Sequence, residues 1–326
     1  MSEYKNLTPK ETAERLLTLK NPIVLMHTRP DGDTVGSAAA LIKILHRLGI
    51  EARYGSKDKI PERLSFLLMG EKKAESLEDG TLIAIDVASA AQLGGYKDYA
   101  DRVLLTIDHH RVNSPFSDNL TIPDASSAGE ALFSVLLELI EMGKCSLDKE
   151  IAYPLYASIS SDTGGFVFSS ATAETYRIAA RLIETGIDFA DINHRLFYSK
   201  SQSQIKAEGF ISSKLRSACG GKISYATLSK AEREALMIEG EHFETAIDIV
   251  RSAMFSEVAI FVRENDDKTV KASMRSTGLN VAEIAAEFGG GGHIRAAGCT
   301  LPADTAEKGA QLLIEKIEKQ LKKEEK

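Results

Sequence analysis

The chain has few of the features that mark a secreted, membrane or duplex-binding protein. Its 326 residues include three cysteines, Cys145, Cys219 and Cys299, far apart in sequence. That spacing forms neither a disulfide framework nor a paired thiolate metal site, and it fits a reducing cytoplasm where small buried thiols persist. No run of about 18 uncharged apolar residues occurs, which argues against a transmembrane helix. The first residues, MSEYKNLTPKETAERL, lack the apolar core of a signal peptide. There is no basic excess: 40 Lys and Arg against 47 Asp and Glu give a net charge of −7. This disfavours broad binding to duplex DNA. It leaves room for a short anionic substrate in a local pocket with its own cations.

What is present is ordinary globular material, 43% apolar and 27% charged. The length is about twice the ~150 residues typical of one domain. The first half alternates strand-like and helix-like runs. Thr8-Pro9-Lys10-Glu11 reads as a capping box with proline at the first helical position, opening a helix to about residue 19. Residues 23–26 form a short apolar run that ends at His27. Residues 28–33 form a polar loop, and a helix then runs through Leu48 to a stop at Gly49. Residues 82–85 form a second strand, ending at Asp86, and 103–107 a third, ending at Asp108. Ser127 with Glu130 opens an amphipathic helix to about Met142. This alternation predicts an α/β domain, a parallel sheet flanked by helices, with its site outside the carboxyl ends of the strands.

Helical patterns continue from 147 to 198, broken at 161–170. The texture then changes. Strands are expected at 223–228, 258–262 and 269–274, and helices at 243–254, 281–287 and 304–322. The domain assignment is therefore 1–198, a linker at 199–208 built around the polar segment 199–206, and a smaller α+β domain at 209–326. The cleft between the domains is the expected binding site.

Four constellations carry chemistry. His27-Thr-Arg-Pro-Asp31-Gly-Asp33 places an imidazole and two carboxylates after a strand. Asp86 follows another strand. Asp108-His109-His110 places two of only seven histidines side by side. Ser161-Asp162-Thr163-Gly164-Gly165 follows a helix. Each alone has an ordinary structural explanation: a Pro-Asp-Gly turn, a capping aspartate, a surface histidine pair, a helix end with a glycine turn. Jointly they gather four carboxylates, Asp31, Asp33, Asp86 and Asp162, which would repel one another without cations. Oxygen and imidazole donors without thiolate suit Mn²⁺ or Mg²⁺ better than a structural zinc, and the number of groups suits two ions.

In this order and spacing the motifs resemble the DHH phosphoesterase superfamily. The C-terminal run Phe288-Gly-Gly-Gly-Gly-His293-Ile-Arg-Ala-Ala-Gly298 looks like the glycine-rich motif of the DHH-associated domain. The two-domain layout, with Asn113-Ser-Pro-Phe and Ala125-Ser-Ser-Ala-Gly-Glu130, is similar to the nano-RNase/pAp-phosphatase branch. The resemblance implies that His27, Asp31 and Asp86 hold one ion and that Asp33, Asp86, His109 and Asp162 hold the other, with Asp86 bridging. It also implies that His110 assists the leaving oxygen while Asp108 orients a histidine from behind. Mn²⁺ is the expected metal, with Mg²⁺ or Co²⁺ as substitutes. The implied reaction is hydrolysis of short single-stranded oligoribonucleotides to mononucleotides and of pAp to AMP and phosphate, with a homodimer among the expected partners.

Arg275, Ser273, Ser276, Gly290, Gly291, Gly292, His293 and Arg111 are the substrate-binding candidates. Gly289 to Gly292, followed by a short helix, would present backbone N–H groups to an anion, or act as a hinge. Arg275 would take a terminal phosphate bidentately, or form a surface salt bridge. His46, His194 and His242 are read as structural. Other readings stay open: a phosphodiesterase for pApA or cyclic-di-AMP, a pyrophosphatase or exopolyphosphatase, or a silent nucleotide sensor.

Overall fold

The computed structural model describes residues 4–237 and 246–324. It divides into two compact units, Met1–Ser199 and Lys200–Lys326. Among the described residues no helix is long and apolar enough to cross a membrane.

The first unit is the expected α/β layer structure. Helix α1 (Pro9–Leu16) opens on the predicted capping box, in which Thr8 Oγ1 accepts from the Glu11 amide and the Glu11 carboxylate accepts from the Thr8 amide. Strands β1 (Pro22–Leu25), β2 (Arg53–Gly55), β3 (Thr81–Ile85), β4 (Val103–Asp108) and β5 (Asp118–Thr121) form one sheet in the order β2-β1-β3-β4-β5. Every pairing is parallel. The central strands carry Ile23, Val24, Ile83, Ile85, Leu105 and Ile107, all without solvent exposure, as a doubly covered parallel sheet requires.

Helix α2 (Gly32–Arg47) is buried on nearly every side, packed between the sheet and helices α3 (Ala128–Glu141) and α4 (Lys149–Asp162). Its approach to α4 depends on Gly36, where an added Cβ would lie 2.8 Å from the Pro154 carbonyl oxygen and from the Ser158 amide. Helices α5 (Ala173–Glu184) and α6 (Phe189–Asn193) complete the unit. The loop expected at 28–33 is shorter than predicted. Asp31 is the N-cap of α2, its Oδ1 accepting from the Asp33 and Thr34 amides, so Asp33 lies inside the first helical turn.

The second unit is a six-stranded mixed sheet. Helix α7 (Gln202–Ser213) leads into β6 (Arg216–Ala218) and β7 (Ile223–Leu228). Helices α8 (Lys230–Leu236) and α9 (Ala246–Arg251), strands β8 (Val258–Glu264) and β9 (Val270–Ser276), and helix α10 (Val281–Glu287) follow. Strands β10 (Gly291–His293) and β11 (Ala296–Leu301) and helix α11 (Ala306–Glu324) close the chain. The sheet order is β10-β11-β9-β8-β7-β6, antiparallel except for β7–β8. One face packs on α10 and α11 through Met274, Ile284, Leu313 and Ile317. On the other, α7 and α9 cover β7 and β8 through Ala207, Ile211, Val250 and Phe261.

The expected linker at 199–208 is corrected. Ser201 caps α7, accepting from the Gln204 amide, and Ala207 and Ile211 of that helix are buried. Only residues 199–201 separate it from the preceding helical segment, because two apolar residues at i, i+4 anchor an otherwise polar helix. The start of the helix expected at 243–254, and His242, lie outside the described residues.

Candidate metal centre

Parallel strands bring side chains to their carboxyl ends, and here three do so together. His27 follows β1, Asp86 follows β3, and Asp108 ends β4 with His109 and His110 beyond it. The first turn of α2 supplies Asp31 and Asp33, and the last residue of α4 supplies Asp162. Three groups of potential ligand atoms result, each within 4.8 Å: His27, Asp31 and Asp86; Asp33, His109 and Asp162; Asp86, His109 and His110. All six metal-ligand candidates read from the sequence fall in these groups, together with His110.

The histidines are fixed from behind. His27 Nδ1 lies 2.7 Å from the Thr28 carbonyl oxygen and His109 Nδ1 lies 3.3 Å from that of Ala125. A carbonyl only accepts, so Nδ1 donates in both rings and Nε2 faces the carboxylates. His27 Nε2 stands 3.4 Å from Asp86 Oδ2 and 3.8 Å from Asp31 Oδ1. His109 Nε2 stands 3.3 Å from Asp162 Oδ2 and 3.6 Å from both Asp33 Oδ2 and Asp86 Oδ1. His110 Nδ1 bonds Asp108 Oδ1 at 2.7 Å.

Asp33 and Asp86 are buried, Asp162 is half-buried and Asp31 is exposed. Asp33 accepts from the Ala128 amide (2.7 Å), the Gly129 amide (3.2 Å) and Ser158 Oγ. It therefore sits at the N-terminus of α3, whose dipole favours its charge. Asp86 Oδ2 accepts from Thr34 Oγ1 at 2.5 Å, but its Oδ1 is buried without a hydrogen-bond donor. Asp86 also has a left-handed φ of 59°, a conformation that concentrates at functional sites. A buried carboxylate oxygen without a donor is costly. A divalent cation would satisfy it, and the donor set of oxygens and imidazole Nε2 atoms fits a hard or borderline ion.

The electrostatics point the same way. Burial, then the charges of Asp86, Asp162 and Asp31, push the Asp33 carboxyl well above its ordinary range. Burial and the charges of Asp86 and Asp31 do the same to Asp162. Burial opposes the charged form of His27, but Asp31 and Asp86 overcome it and push its pKa up to about 11. The bond to Asp108 pushes His110 up to about 9. Without cations the site retains protons to limit like-charge repulsion.

Thr34, Ser158 and the first amides of α3 were not legible as site residues. The pattern Ser127 to Glu130 marked only a helix start. Ser127 does accept from the Glu130 amide. The Glu130 carboxylate, however, accepts from Ser126 and from Thr175 Oγ1 instead of returning to the cap.

The substrate candidates separate by location. Arg111 is largely exposed on the first unit and bridges Asp124 at 2.8 Å. The others lie on the second sheet, at the β9-β11-β10 edge. No helix follows the glycine run: Gly291–His293 is the edge strand β10, paired to β11. Its backbone groups thus serve a ladder where the short helix was expected. The register places Ser273 opposite Gly298, Arg275 opposite Ala296, Gly298 opposite Gly291 and Ala296 opposite His293. Strand alternation puts these six on one face, and all are at least partly exposed. Gly290 and Gly292 are set apart: a Cβ at Gly290 would meet the Gly298 carbonyl oxygen at 2.2 Å, and one at Gly292 would meet that of Ala296 at 2.4 Å. Ser276 Oγ donates to the Leu279 carbonyl oxygen. These three support the sheet edge. Ser273, Arg275, Gly291 and His293 form an open floor.

A parallel α/β unit with an oxygen- and imidazole-lined cluster at its carboxyl edge, followed by a mixed-sheet unit, is the build of a two-domain metallohydrolase. Residues 21–159 match the model of the DHH family N-terminal domain and residues 220–323 that of the DHHA1 domain. The bifunctional oligoribonuclease and PAP phosphatase NrnA of Thermus thermophilus is 31% identical over 95% of this chain and 93% of its own. The Bacillus subtilis protein of the same name is 28% identical over 88% and 91%. The crystal structure of an exopolyphosphatase-related protein from Bacteroides fragilis superposes with a TM-score of 0.87 at 23% identity, covering 96% and 97% of the two chains. The chain belongs to the DHH family of phosphoesterases, with a DHHA1 domain at its C-terminus.

Proposed function

We propose that the protein hydrolyses short single-stranded oligoribonucleotides to mononucleotides, and pAp to AMP and phosphate, in the cytoplasm. The observation that carries this reading is the buried Asp86 carboxylate shared by two groups of ligand atoms. The relatives' names supply the substrate class.

His27, Asp31 and Asp86 hold one ion, and Asp33, Asp86, His109 and Asp162 the other; Mn²⁺ is the preferred metal. Bound ions supply a water activated near neutral pH and neutralise charge on the phosphoryl oxygens. The chain's own groups do the rest. The Thr28 and Ala125 carbonyls hold the His27 and His109 rings with Nε2 inward. Thr34 and the α3 amides fix the Asp86 and Asp33 carboxylates, so the site needs little reorganisation during reaction. His110, anchored through Nδ1 to Asp108, presents Nε2 as proton donor to the leaving oxygen. Arg275 takes the terminal phosphate of the substrate.

The test is a mass-spectrometric time course with Mn²⁺ on RNA two to twenty nucleotides long, pAp, pApA, cyclic-di-AMP and inorganic pyrophosphate, with Asp86→Ala in parallel. Mononucleotides from the shortest RNAs and AMP from pAp are expected, with no turnover by a soluble Asp86→Ala. Cleavage of pyrophosphate alone, or of cyclic-di-AMP with RNA and pAp untouched, would overturn the substrate assignment. Substantial activity in the variant would overturn the role of Asp86.

A further inference from the structure

The β9-β11-β10 floor has a neighbour with no structural task. Phe255 is 88% exposed and Met254 78% exposed. Phe255 also holds a left-handed φ of 66°, a conformation unfavourable for a bulky side chain. A large aromatic side chain displayed on strained backbone contributes little to folding.

Its position gives the feature meaning. The segment 252–257 joins α9 to β8. α9 lies on the same sheet face as Arg275, because Val250 packs on Ala259, and Ala259 pairs with Arg275. The segment descends beside the end of β9: the Glu257 carbonyl oxygen accepts from the Thr277 amide at 3.0 Å. Phe255 is therefore two residues from a bond to the chain just past Arg275. Arg275 is part-buried, donates to its own strand's Met274 carbonyl oxygen, and makes no ion pair among the described residues. Burial holds its guanidinium below the ordinary range, with Asp248 and Arg251 of α9 as the nearby charges. A part-buried cation with no ion pair among the described residues calls for an anion, and an exposed aromatic residue on the segment bonded to the end of its strand calls for a flat apolar group. A nucleotide supplies both.

We infer that Phe255 is a stacking platform for a nucleobase of the substrate whose phosphate Arg275 binds, a specificity-determining position of the second unit. This rests on the nucleotide-hydrolase reading above. It predicts that the enzyme prefers substrates carrying a base, whichever base that is, since stacking accepts any aromatic face.

The test compares wild type, Phe255→Ala and Phe255→Trp on pAp and on its abasic analogue, 1-deoxyribose 3′,5′-bisphosphate, with Mn²⁺. Phe255→Ala should raise KM for pAp by roughly tenfold, leave kcat within about twofold, and leave KM for the abasic analogue unchanged. Phe255→Trp should restore KM for pAp. An equal KM for pAp in wild type and Phe255→Ala, or an equal rise for both substrates, overturns the platform. Wild type that binds and hydrolyses pAp no better than the abasic analogue also overturns it, while leaving the phosphoesterase reading intact. Wild type that hydrolyses neither overturns both. The exposure of Phe255 means that neither substitution disturbs the core.

Discussion

Loading the first metal group must expel a proton. His27 Nε2 faces Asp86 at 3.4 Å and Asp31 at 3.8 Å. The two carboxylates overcome the burial of the ring and hold its pKa at about 11. In the metal-free protein at neutral pH that nitrogen is therefore protonated, and an ion has to displace the proton to reach its lone pair. The folded pKa lies above the ordinary value near 6.5, so the proton competes at every pH below about 11. Asp33 and Asp162, both pushed upward mainly by burial, add to the competition. Each displaced proton weakens ion binding about tenfold per pH unit of acidification.

Isothermal titration of metal-free protein with Mn²⁺, in two buffers of different ionisation enthalpy, measures this directly. At about pH 7 at least roughly one proton per protein should leave, and log affinity should rise with pH at a slope of one or more. His27→Asn should lower the release by about one proton. The same pKa shifts set the stability of the metal-free protein. A group whose folded pKa is raised binds more protons folded than unfolded, so its stabilisation falls as pH rises. The metal-free melting temperature should fall between about pH 6 and 8, and saturating Mn²⁺ should reverse the trend. A buffer-independent enthalpy with a flat affinity profile would refute the reasoning.

Two further perturbations test the supporting structure. Asp108→Asn removes the charge 2.7 Å from His110 Nδ1; in the metal-free protein the His110 midpoint, about 9, should drop by on the order of 1–2 units in an NMR titration, and no drop would remove Asp108 as its partner. Gly36→Ala places a methyl group 2.8 Å from the Pro154 carbonyl oxygen and the Ser158 amide. It should cost about 1–3 kcal/mol in denaturant unfolding, and an unchanged midpoint would show that α2 and α4 can separate freely.

The central fold was legible because its strands are short apolar runs and its helices carry caps. Residues 82–85, 103 and 105–107 are buried, and Thr8, Ser127 and the apolar periods mark where helices begin. The strands that escaped are edge or near-edge pieces. β5 reads Asp118-Asn-Leu-Thr, with no strand propensity, and exists because β4 offers it a ladder. β11 reads Ala296-Ala-Gly-Cys-Thr-Leu, small residues chosen for close backbone approach and not for bulk. α7 was hidden because two buried residues in a polar helix give a weak period.

The metal-ligand candidates and the proposed substrate residues differ in how much a sequence can reveal, and the cause is chemical. A metal centre demands particular atoms: only carboxylate and imidazole supply these ligands, and a buried concentration of them has no inexpensive structural explanation. His27, Asp31, Asp33, Asp86, His109 and Asp162 therefore announce themselves by type, and the fold had only to bring them together. The backing groups do not, because a threonine hydroxyl or a main-chain amide occurs everywhere. A substrate surface is weaker still as a signal. Ser273, Gly291 and His293, proposed as substrate residues, share their face through register, since a shift of one residue would turn them to the α10–α11 side. Arg275 also read as a surface salt bridge, but it is part-buried and makes no ion pair among the described residues. Arg275→Ala should therefore raise KM for 5′-phosphorylated dinucleotides by roughly tenfold or more, the value of a charge-assisted contact, with little change in kcat. If KM is unchanged, the open floor of the second sheet is not where the substrate's phosphate rests, and the metal cluster alone must supply both binding and chemistry.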